Sequence, residues 1–319
     1  PETNILKLIW AHGKDGFHIR AAESVALAPR NGVESDFYAV KNGMVISQPN
    51  FFGPTSWVMG QSIVPIVAIV DGEDTIRCLG TAFFISCTGI LLTAAHVITD
   101  PIERQYGDVS TLDDLTWHTR QMNFGVMLPV NPMLYEPGYL FLGVEWAMFL
   151  AEQRDNPMPI RGVDLKLTSD VAICKVPQLS PTTPHQALSI KQRGIKGVGI
   201  DVGKSATAIG YGSMDETIPL KGEPGTRGDF KFDIHVSKGK IIERFPDNMT
   251  TRDVAAPGPC FSTSANYPGG MSGSPIFDDE MIYVHGVVSR GGLQDLSYGC
   301  MLEPSMHLPI KHLGDKSIA

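Results

Sequence analysis

Basic residues are in the minority in this sequence and form no run. Its 26 Lys and Arg are outnumbered by 34 Asp and Glu, which gives a formal net charge of -8 at pH 7 and a pI near 5.6. Nucleic acids and anionic membrane surfaces are bound through concentrated Lys and Arg side chains. The charge balance therefore argues against both as the main partner of this chain.

Long apolar runs are also missing. The two longest, residues 62–70 and 139–150, are too short or too interrupted by polar residues to span a bilayer. Neither end carries a recognisable signal peptide. Because the first residue is Pro1 rather than Met, the sequence leaves open whether a leader has been removed. We expect a soluble protein without a membrane span; the cytoplasm is slightly favoured over secretion, and the compartment is not settled.

Cysteines are few, and their spacing excludes the usual metal-binding patterns. The five are scattered, odd in number and without C-x-x-C spacing, so we expect no zinc site and no other cofactor. Three of them lie in apolar runs, where a buried free thiol is the default: Cys78, Cys87 and Cys174. Cys260 and Cys300 are the one pair to test as a disulfide.

Internal repeats and low-complexity tracts are absent, whereas short apolar segments separated by turn residues recur along the chain. Many short strands with regular turns predict an all-β fold of barrels or a sandwich. A short helix at residues 21–28 and one helical turn at residues 94–98 are also predicted. The strands are expected at residues 63–70, 75–85, 89–93, 124–130, 139–150, 171–176, 205–211, 230–236, 241–245, 273–277, 281–289 and 298–302.

A Pro-rich segment divides the predicted strands into two sets. Residues 177–184 contain three Pro and three Ser or Thr residues, a composition typical of a linker. We therefore expect a first β domain at residues 61–176, a linker at 177–200 and a second β domain at 201–319. Residues 1–60 carry no motif, and we interpret them as an N-terminal extension that packs on the domains or binds a partner.

One turn in the second set is suited to nucleophilic chemistry. In Gly270-Met271-Ser272-Gly273-Ser274-Pro275, small residues surround Ser272 and an apolar strand follows at once. Glycine adopts backbone geometries that other residues resist, and it lets a substrate carbonyl approach main-chain N–H groups. A serine hydroxyl is a weak nucleophile until a base removes its proton, so a base must be found elsewhere in the chain.

Among the nine histidines, His96 is the best candidate for that base. It follows a strongly apolar segment in Thr93-Ala94-Ala95-His96, where small residues leave room around the ring. A histidine acts as an oriented base when its second nitrogen is held, usually by a carboxylate. Asp170 fits this need, because it heads the apolar segment Val171-Ala172-Ile173-Cys174.

These three motifs resemble those of the chymotrypsin-like serine peptidases, and more closely those of bacterial and viral members than of secreted animal zymogens. They occur in that family's order, His then Asp then Ser, with gaps of 74 and 102 residues (170 − 96 and 272 − 170). The α/β-hydrolase order, Ser then Asp then His, is excluded if these are the right residues. Each motif alone is weak, but three in order form a specific pattern.

The resemblance implies two six-stranded antiparallel β-barrels with the active site in the cleft between them. His96 and Asp170 would come from the first barrel, and Ser272 from the second. The predicted linker then falls where the chain would cross between barrels. The activity implied is that of a serine endopeptidase acting on protein or peptide substrates, with the backbone N–H groups of Gly270 and Ser272 as the oxyanion hole.

The resemblance also implies four substrate-binding residues. Ser289 matches the serine that supports the buried aspartate, and Gly291 would leave the pocket open at its wall. Arg290 replaces an aromatic residue common there, and we expect it to favour an acidic side chain near the scissile bond. Asn266 would lie near the pocket base, where trypsin carries an aspartate, which argues against Lys or Arg specificity.

Two departures separate this chain from the secreted animal peptidases of the family. Met271 replaces the acidic residue that pairs with a freed N-terminus, so zymogen activation by that route is not expected. Val97 stands where a cysteine commonly follows the histidine, so the usual disulfide framework is missing.

Two other functions are compatible with the same three motifs. A catalytically silent scaffold of the same fold, or an acyl hydrolase acting on esters, would carry the same residues.

Gly203-Lys204-Ser205 is similar to the end of a phosphate-binding loop, but Val198 stands where that loop needs glycine. Asp278-Asp279-Glu280 is better explained as a solvated hairpin turn than as a cation site. The oligomeric state is not predicted.

Overall fold

A computed structural model describes residues 5–10, 18–22, 37–40, 43–46, 61–70, 75–103, 109–113, 116–119, 122–130, 138–153, 165–178, 185–190, 200–212, 217–219, 233–245, 256–257, 259–293, 296–308 and 318. The strands are β1 (Ile5–Trp10), β2 (His18–Ala22), β3 (Phe37–Val40), β4 (Gly43–Ile46), β5 (Ile63–Val70), β6 (Thr75–Phe84), β7 (Ile90–Thr93), β8 (Val109–Asp113), β9 (Thr116–Thr119), β10 (Met122–Val130), β11 (Gly138–Gly143), β12 (Trp146–Gln153), β13 (Leu165–Lys175), β14 (Ser205–Gly212), β15 (Thr217–Pro219), β16 (Asp233–Phe245), β17 (Cys260–Thr263), β18 (Pro275–Phe277), β19 (Val284–Leu293) and β20 (Leu296–Met301). The helices are α1 (Ala95–Glu103) and α2 (Glu303–Met306).

Six strands close into a barrel in the second half of the chain, which here means residues 205–301. The first half means residues 63–175. The six strands pair in the order β14-β18-β19-β20-β17-β16, and β16 also pairs with β14, which completes the ring. Apolar side chains fill its interior, among them Ala208, Phe261, Ile276 and Val288, each no more than 1% exposed. The hairpin of β3 and β4 adds to the outer side of β16.

The strands of the first half form an open half-barrel. They pair in the order β12-β13-β7-β6-β5-β10-β11, and every neighbouring pair is antiparallel. The outer edge of β11 is occupied by β1, which pairs with it in parallel, so this edge is not available to close a ring. The predicted all-β fold with two barrels is confirmed, with the difference that only the second ring closes among the described strands.

Most strand predictions hold, and the differences from the structure are these. The predicted strand at residues 139–150 is two strands, because Val144 and Glu145 between them donate their N–H groups to the carbonyls of Phe124 and Lys175 on different strands. The segments 230–236 and 241–245 belong to one continuous strand, β16. Of the predicted helix at 21–28, the first two residues end strand β2 and the others lie outside the described residues.

The segment after β13 touches both halves. Most of the predicted Pro-rich linker lies outside the described residues, but Leu188 donates its N–H to the carbonyl of Phe84, and Val284 donates its N–H to the carbonyl of Ser189. The largest buried apolar cluster also runs from the first half into the second. The domain boundaries at residues 60, 176 and 200 remain predictions. Neither helix is long and apolar enough to cross a bilayer, as far as the described residues extend.

Candidate active site

His96 lies at the start of α1, directly after β7. The residues before it, Thr93, Ala94 and Ala95, are fully buried and small, so the helix begins tightly against the strand. The helix runs for nine residues rather than for the single turn that the sequence predicts. The His96 side chain keeps 14% exposure, so part of the imidazole remains accessible to solvent.

Asp170 lies within β13 and not at its start, which corrects the prediction. The pairing of β13 with β12 jumps from Ala172 opposite Phe149 to Leu167 opposite Ala151, so residues 168–171 face a single partner residue. Such a bulge locally turns a strand and re-aims its side chains. Here the re-aimed carboxylate is almost completely buried, with 1% exposure.

Asp170 holds His96 through both of its carboxylate oxygens. Oδ2 accepts a hydrogen bond from the ring Nδ1 at 2.7 Å, and Oδ1 accepts one from the main-chain N–H of His96 at 2.8 Å. The Ser289 hydroxyl also donates to Oδ2. An ionised carboxylate can only accept, so Nδ1 carries the proton and Nε2 is left free to accept another.

The two groups shift each other's protonation. Burial raises the pKa of Asp170, but its contacts with His96 and Ser289 outweigh burial and lower that pKa below its usual value. Burial lowers the pKa of His96, but the Asp170 carboxylate outweighs burial and raises it above 6.5. The pair therefore favours an ionised Asp170 and stabilises an imidazolium on His96.

Ser272 lies on a tight turn between β17 and β18. The flanking Gly270 and Gly273 have φ angles of +93° and +91°, in the left-handed region that favours glycine. The Ser272 hydroxyl donates to the main-chain carbonyl of Ser289 at 3.2 Å, and no hydrogen bond joins it to His96 among the described residues. Ser289 therefore contacts both the nucleophile candidate and the carboxylate.

The predicted oxyanion donors, the N–H groups of Gly270 and Ser272, have no acceptor within the described part of the chain. The N–H groups of three other residues in the turn are engaged. Met271 donates its N–H to Pro268, Gly273 donates to Val288, and Ser274 donates to the carbonyl of Met271. Two N–H groups of one turn that have no acceptor can bind a negatively charged oxygen.

Strand β6 of the first half binds the same turn, which no motif in the sequence signals. Thr81 donates its N–H to the Ser272 carbonyl at 2.8 Å and its hydroxyl to the Gly270 carbonyl at 3.0 Å. A Cβ on the adjacent Gly80 would lie 2.7 Å from the Ser272 oxygen, so glycine is needed for this approach. These contacts follow from the pairing of distant strands.

Of the four predicted substrate-binding residues, one precedes Ser272 in the sequence and three follow it on β19. Ser289 is fully buried beside Asp170, whereas Arg290 is exposed and close enough to His96 to lower its pKa. Gly291 packs against Tyr267, because a Cβ on Gly291 would lie 2.0 Å from the Tyr267 carbonyl oxygen. Asn266 is half-buried, and its carbonyl accepts a hydrogen bond from the Ser237 hydroxyl.

Met271 is anchored in the interior of the second barrel. Its side chain is fully buried in an apolar cluster, and its sulfur lies 3.7 Å from the Ser237 hydroxyl oxygen. Cys260 and Cys300 lie directly opposite each other on β17 and β20, yet both are free thiols. Burial raises the pKa of each.

Groups of the two weaker motifs form hydrogen bonds within the chain. Gly203 and Lys204 donate their N–H groups to the carbonyls of Ile241 and Asp201, so these amides are not available to a phosphate. Asp278, in the turn between β18 and β19, accepts hydrogen bonds from the Glu280 N–H and from Nε2 of His285 on β19, the latter at 2.9 Å. No cluster of His, Cys, Asp or Glu able to hold a metal occurs within the ranges that the structure describes.

Comparisons with known proteins identify the family of this chain. No curated protein matches the sequence. Solved structures with a similar fold include Deg5 (16% identity, 77% of this chain and 85% of that chain, TM-score 0.45) and the Rv3671c protease, in an inactive form (18%, 79% and 89%, 0.40) and in the active form from M. tuberculosis (18%, 77% and 77%, 0.40). The sequence profile of the trypsin-like peptidase domain matches residues 80–287, more than half of the 319 residues. The chain therefore belongs to the family of trypsin-like peptidase domains.

Proposed function

We propose that this chain is a serine endopeptidase that uses Ser272, His96 and Asp170 and forms an acyl-enzyme. The observation that carries the proposal is that both carboxylate oxygens of Asp170 accept hydrogen bonds from His96. A carboxylate that fixes the tautomer of an imidazole is the arrangement that a serine nucleophile requires. Ser289 links this pair to the serine turn by contacting both Asp170 and Ser272.

In this mechanism His96 is first a general base and then a general acid. Its Nε2 takes the proton of the Ser272 hydroxyl as the oxygen attacks the scissile carbonyl. The N–H groups of Gly270 and Ser272 stabilise the resulting oxyanion, each by about 3 kcal/mol. His96 then protonates the leaving amine, and a water molecule hydrolyses the acyl-enzyme by the same route.

One side-chain rotation precedes this sequence. The Ser272 hydroxyl now donates to the Ser289 carbonyl at 3.2 Å and must turn toward Nε2 of His96. A substrate that pairs its main chain with β19 would occupy the Ser289 carbonyl and release the hydroxyl. Catalytic hydrogen bonds often tighten only when substrate is bound, so the resting geometry is compatible with the mechanism.

A fluorophosphonate probe tests the proposal directly. We expect stoichiometric labelling of Ser272, loss of labelling in Ser272→Ala, and loss of more than about 99% of the labelling rate in His96→Ala. Ser274→Ala is a matched control, because this neighbouring serine is buried and its hydroxyl has no hydrogen-bond partner among the described residues. His307→Ala is the corresponding control for an exposed histidine.

The alternatives predict different outcomes of the same experiment. A folded wild-type chain that is not labelled under any condition would contradict the proposal and favour a silent scaffold. Labelling together with ester turnover, but no peptide turnover, would identify an acyl hydrolase instead. The proposed substrates are proteins or peptides.

A further inference from the structure

We propose that Thr81, on β6 of the first half, is a positioning residue that holds the serine turn of the second barrel in its oxyanion-binding shape. This inference rests on the proposed function of Ser272. Thr81 is fully buried, and its contacts reach across the boundary between the two halves. The residues it binds in the turn are 189 and 191 positions away in the sequence (270 − 81 and 272 − 81).

Thr81 binds the turn at two successive points. Its N–H donates to the Ser272 carbonyl at 2.8 Å, and its hydroxyl donates to the Gly270 carbonyl at 3.0 Å. These carbonyls belong to the peptide groups on either side of the one that carries the Ser272 N–H. With both neighbours fixed, that central peptide group has little freedom to rotate.

The direction of the hydroxyl hydrogen bond is set by a third residue. Tyr211 donates its N–H to the Thr81 hydroxyl oxygen at 2.9 Å, so the hydroxyl proton must go to a different acceptor. The Gly270 carbonyl at 3.0 Å is nearer than the Tyr211 carbonyl at 3.4 Å. Only a side chain that both accepts and donates satisfies this geometry, and a hydroxyl does so.

The surrounding residues are fitted to the same contact. The Thr93 hydroxyl donates to the Thr81 carbonyl at 2.7 Å, which fixes β6 from the side of β7. A Cβ on Gly273 would lie 1.9 Å from the same carbonyl, so the turn and the strand are in direct contact. The lack of side chains at Gly80 and Gly273 therefore allows the approach that Thr81 uses.

These contacts also explain how the turn keeps its shape without an acidic residue at Met271. The Met271 side chain fixes one side of the turn in the second barrel, and Thr81 fixes the other side from the first. Neither contact involves a charged group. We therefore expect the oxyanion hole to form without any ion pair to a chain terminus.

The test compares Thr81→Val, which keeps the shape but removes the hydroxyl, with Thr81→Ser, which keeps the hydroxyl. Loss of one oxyanion donor reduces kcat by about 10²- to 10³-fold in related enzymes, and we expect a loss of about 10- to 100-fold in Thr81→Val because the donor is misplaced rather than removed. KM should stay within about twofold, and a peptide boronate should bind more weakly in proportion to the loss in kcat/KM. Thr81→Ser should recover most of the activity.

Two controls separate this inference from the proposed function and from simple destabilisation. Thr207→Val removes a buried hydroxyl from β14, outside the serine turn, and should leave kcat unchanged. Each variant is assayed well below its measured Tm. A wild-type chain without labelling or turnover would refute the proposed function. An active wild type with Thr81→Val equally active, or with boronate affinity unchanged, would overturn the role of Thr81 alone.

Discussion

In the proposed mechanism, His96 and Asp170 set the pH at which Ser272 can be activated. The base must be neutral, and Asp170 favours its protonated form, so the pKa of His96 is raised above 6.5. The acid limb of kcat/KM should therefore have its midpoint above 6.5. Full activity requires a pH above the raised value and is lost as the pH falls through it. A pH profile of kcat/KM measures this midpoint.

Asp170→Asn should change both the position and the height of that profile. Burial alone lowers the pKa of His96, so without the carboxylate the acid limb should move to lower pH. The plateau should fall by about 10⁴-fold, because an amide no longer holds the required tautomer. An acid limb that does not move in Asp170→Asn would contradict the assigned pairing.

At the scale of elements, β19 carries three of the four residues proposed to bind substrate, Ser289, Arg290 and Gly291. Gly291 is in close contact with the Tyr267 carbonyl. Since a Cα–Cβ bond is about 1.5 Å long, the Gly291 Cα lies within about 3.5 Å of that oxygen. This close contact favours a narrow space beside Gly291, the residue proposed to line the side-chain pocket. We therefore expect Gly, Ala or Ser at the substrate residue whose carbonyl is attacked, with an acidic side chain nearby that binds the exposed Arg290.

Cleavage-site profiling with a peptide library tests both parts of this expectation. Arg290→Ala should remove the acidic preference and leave the preference for small residues intact, because only the charge at the cleft is changed. Arg290→Lys should retain part of the acidic preference. Efficient cleavage after Phe, Leu or Arg would show that the pocket opens, and equal cleavage with and without acidic neighbours would remove the role of Arg290.

The sequence predicts local features of these elements well, and long-range contacts poorly. His96 and Ser272 could be found because each follows or precedes a buried strand and lies among small residues. Thr81 could not, because its importance comes from contacts with residues 130 and 189 positions away. The bulge around Asp170 could not be predicted from the sequence either, since it depends on the pairing of β13 with β12 rather than on the residues of β13.

At the scale of the whole molecule, the candidate site depends on how the two halves meet. The open half-barrel contributes His96, Asp170 and Thr81, and the closed barrel contributes Ser272 and Ser289. Hydrogen bonds cross the boundary at Thr81 with Gly270 and at Ser289 with Asp170. A change that shifts one half against the other should therefore affect the oxyanion hole and the catalytic pair together.

Met271 provides a test of how the turn is coupled to the folding of the second barrel. Its side chain is fully buried in an apolar cluster that includes Tyr267 and Phe261. Met271→Leu conserves volume and polarity, so it should cost less than about 1.5 kcal/mol and retain fluorophosphonate labelling. Met271→Asp places a carboxylate among apolar side chains and should cost several kcal/mol, seen as a large loss in Tm and in labelling rate.

The comparison of these two variants decides between two ways of supporting a serine turn. If Met271→Asp were stable and fully active, a cationic partner would have to reach the turn, and apolar anchoring would be the wrong explanation. If it loses stability while Met271→Leu does not, the turn is held by burial on one side and by the neutral hydrogen bonds of Thr81 on the other. Capping the α-amino group of the wild type should then leave kcat unchanged, because Met271 offers no carboxylate that could form an ion pair with it.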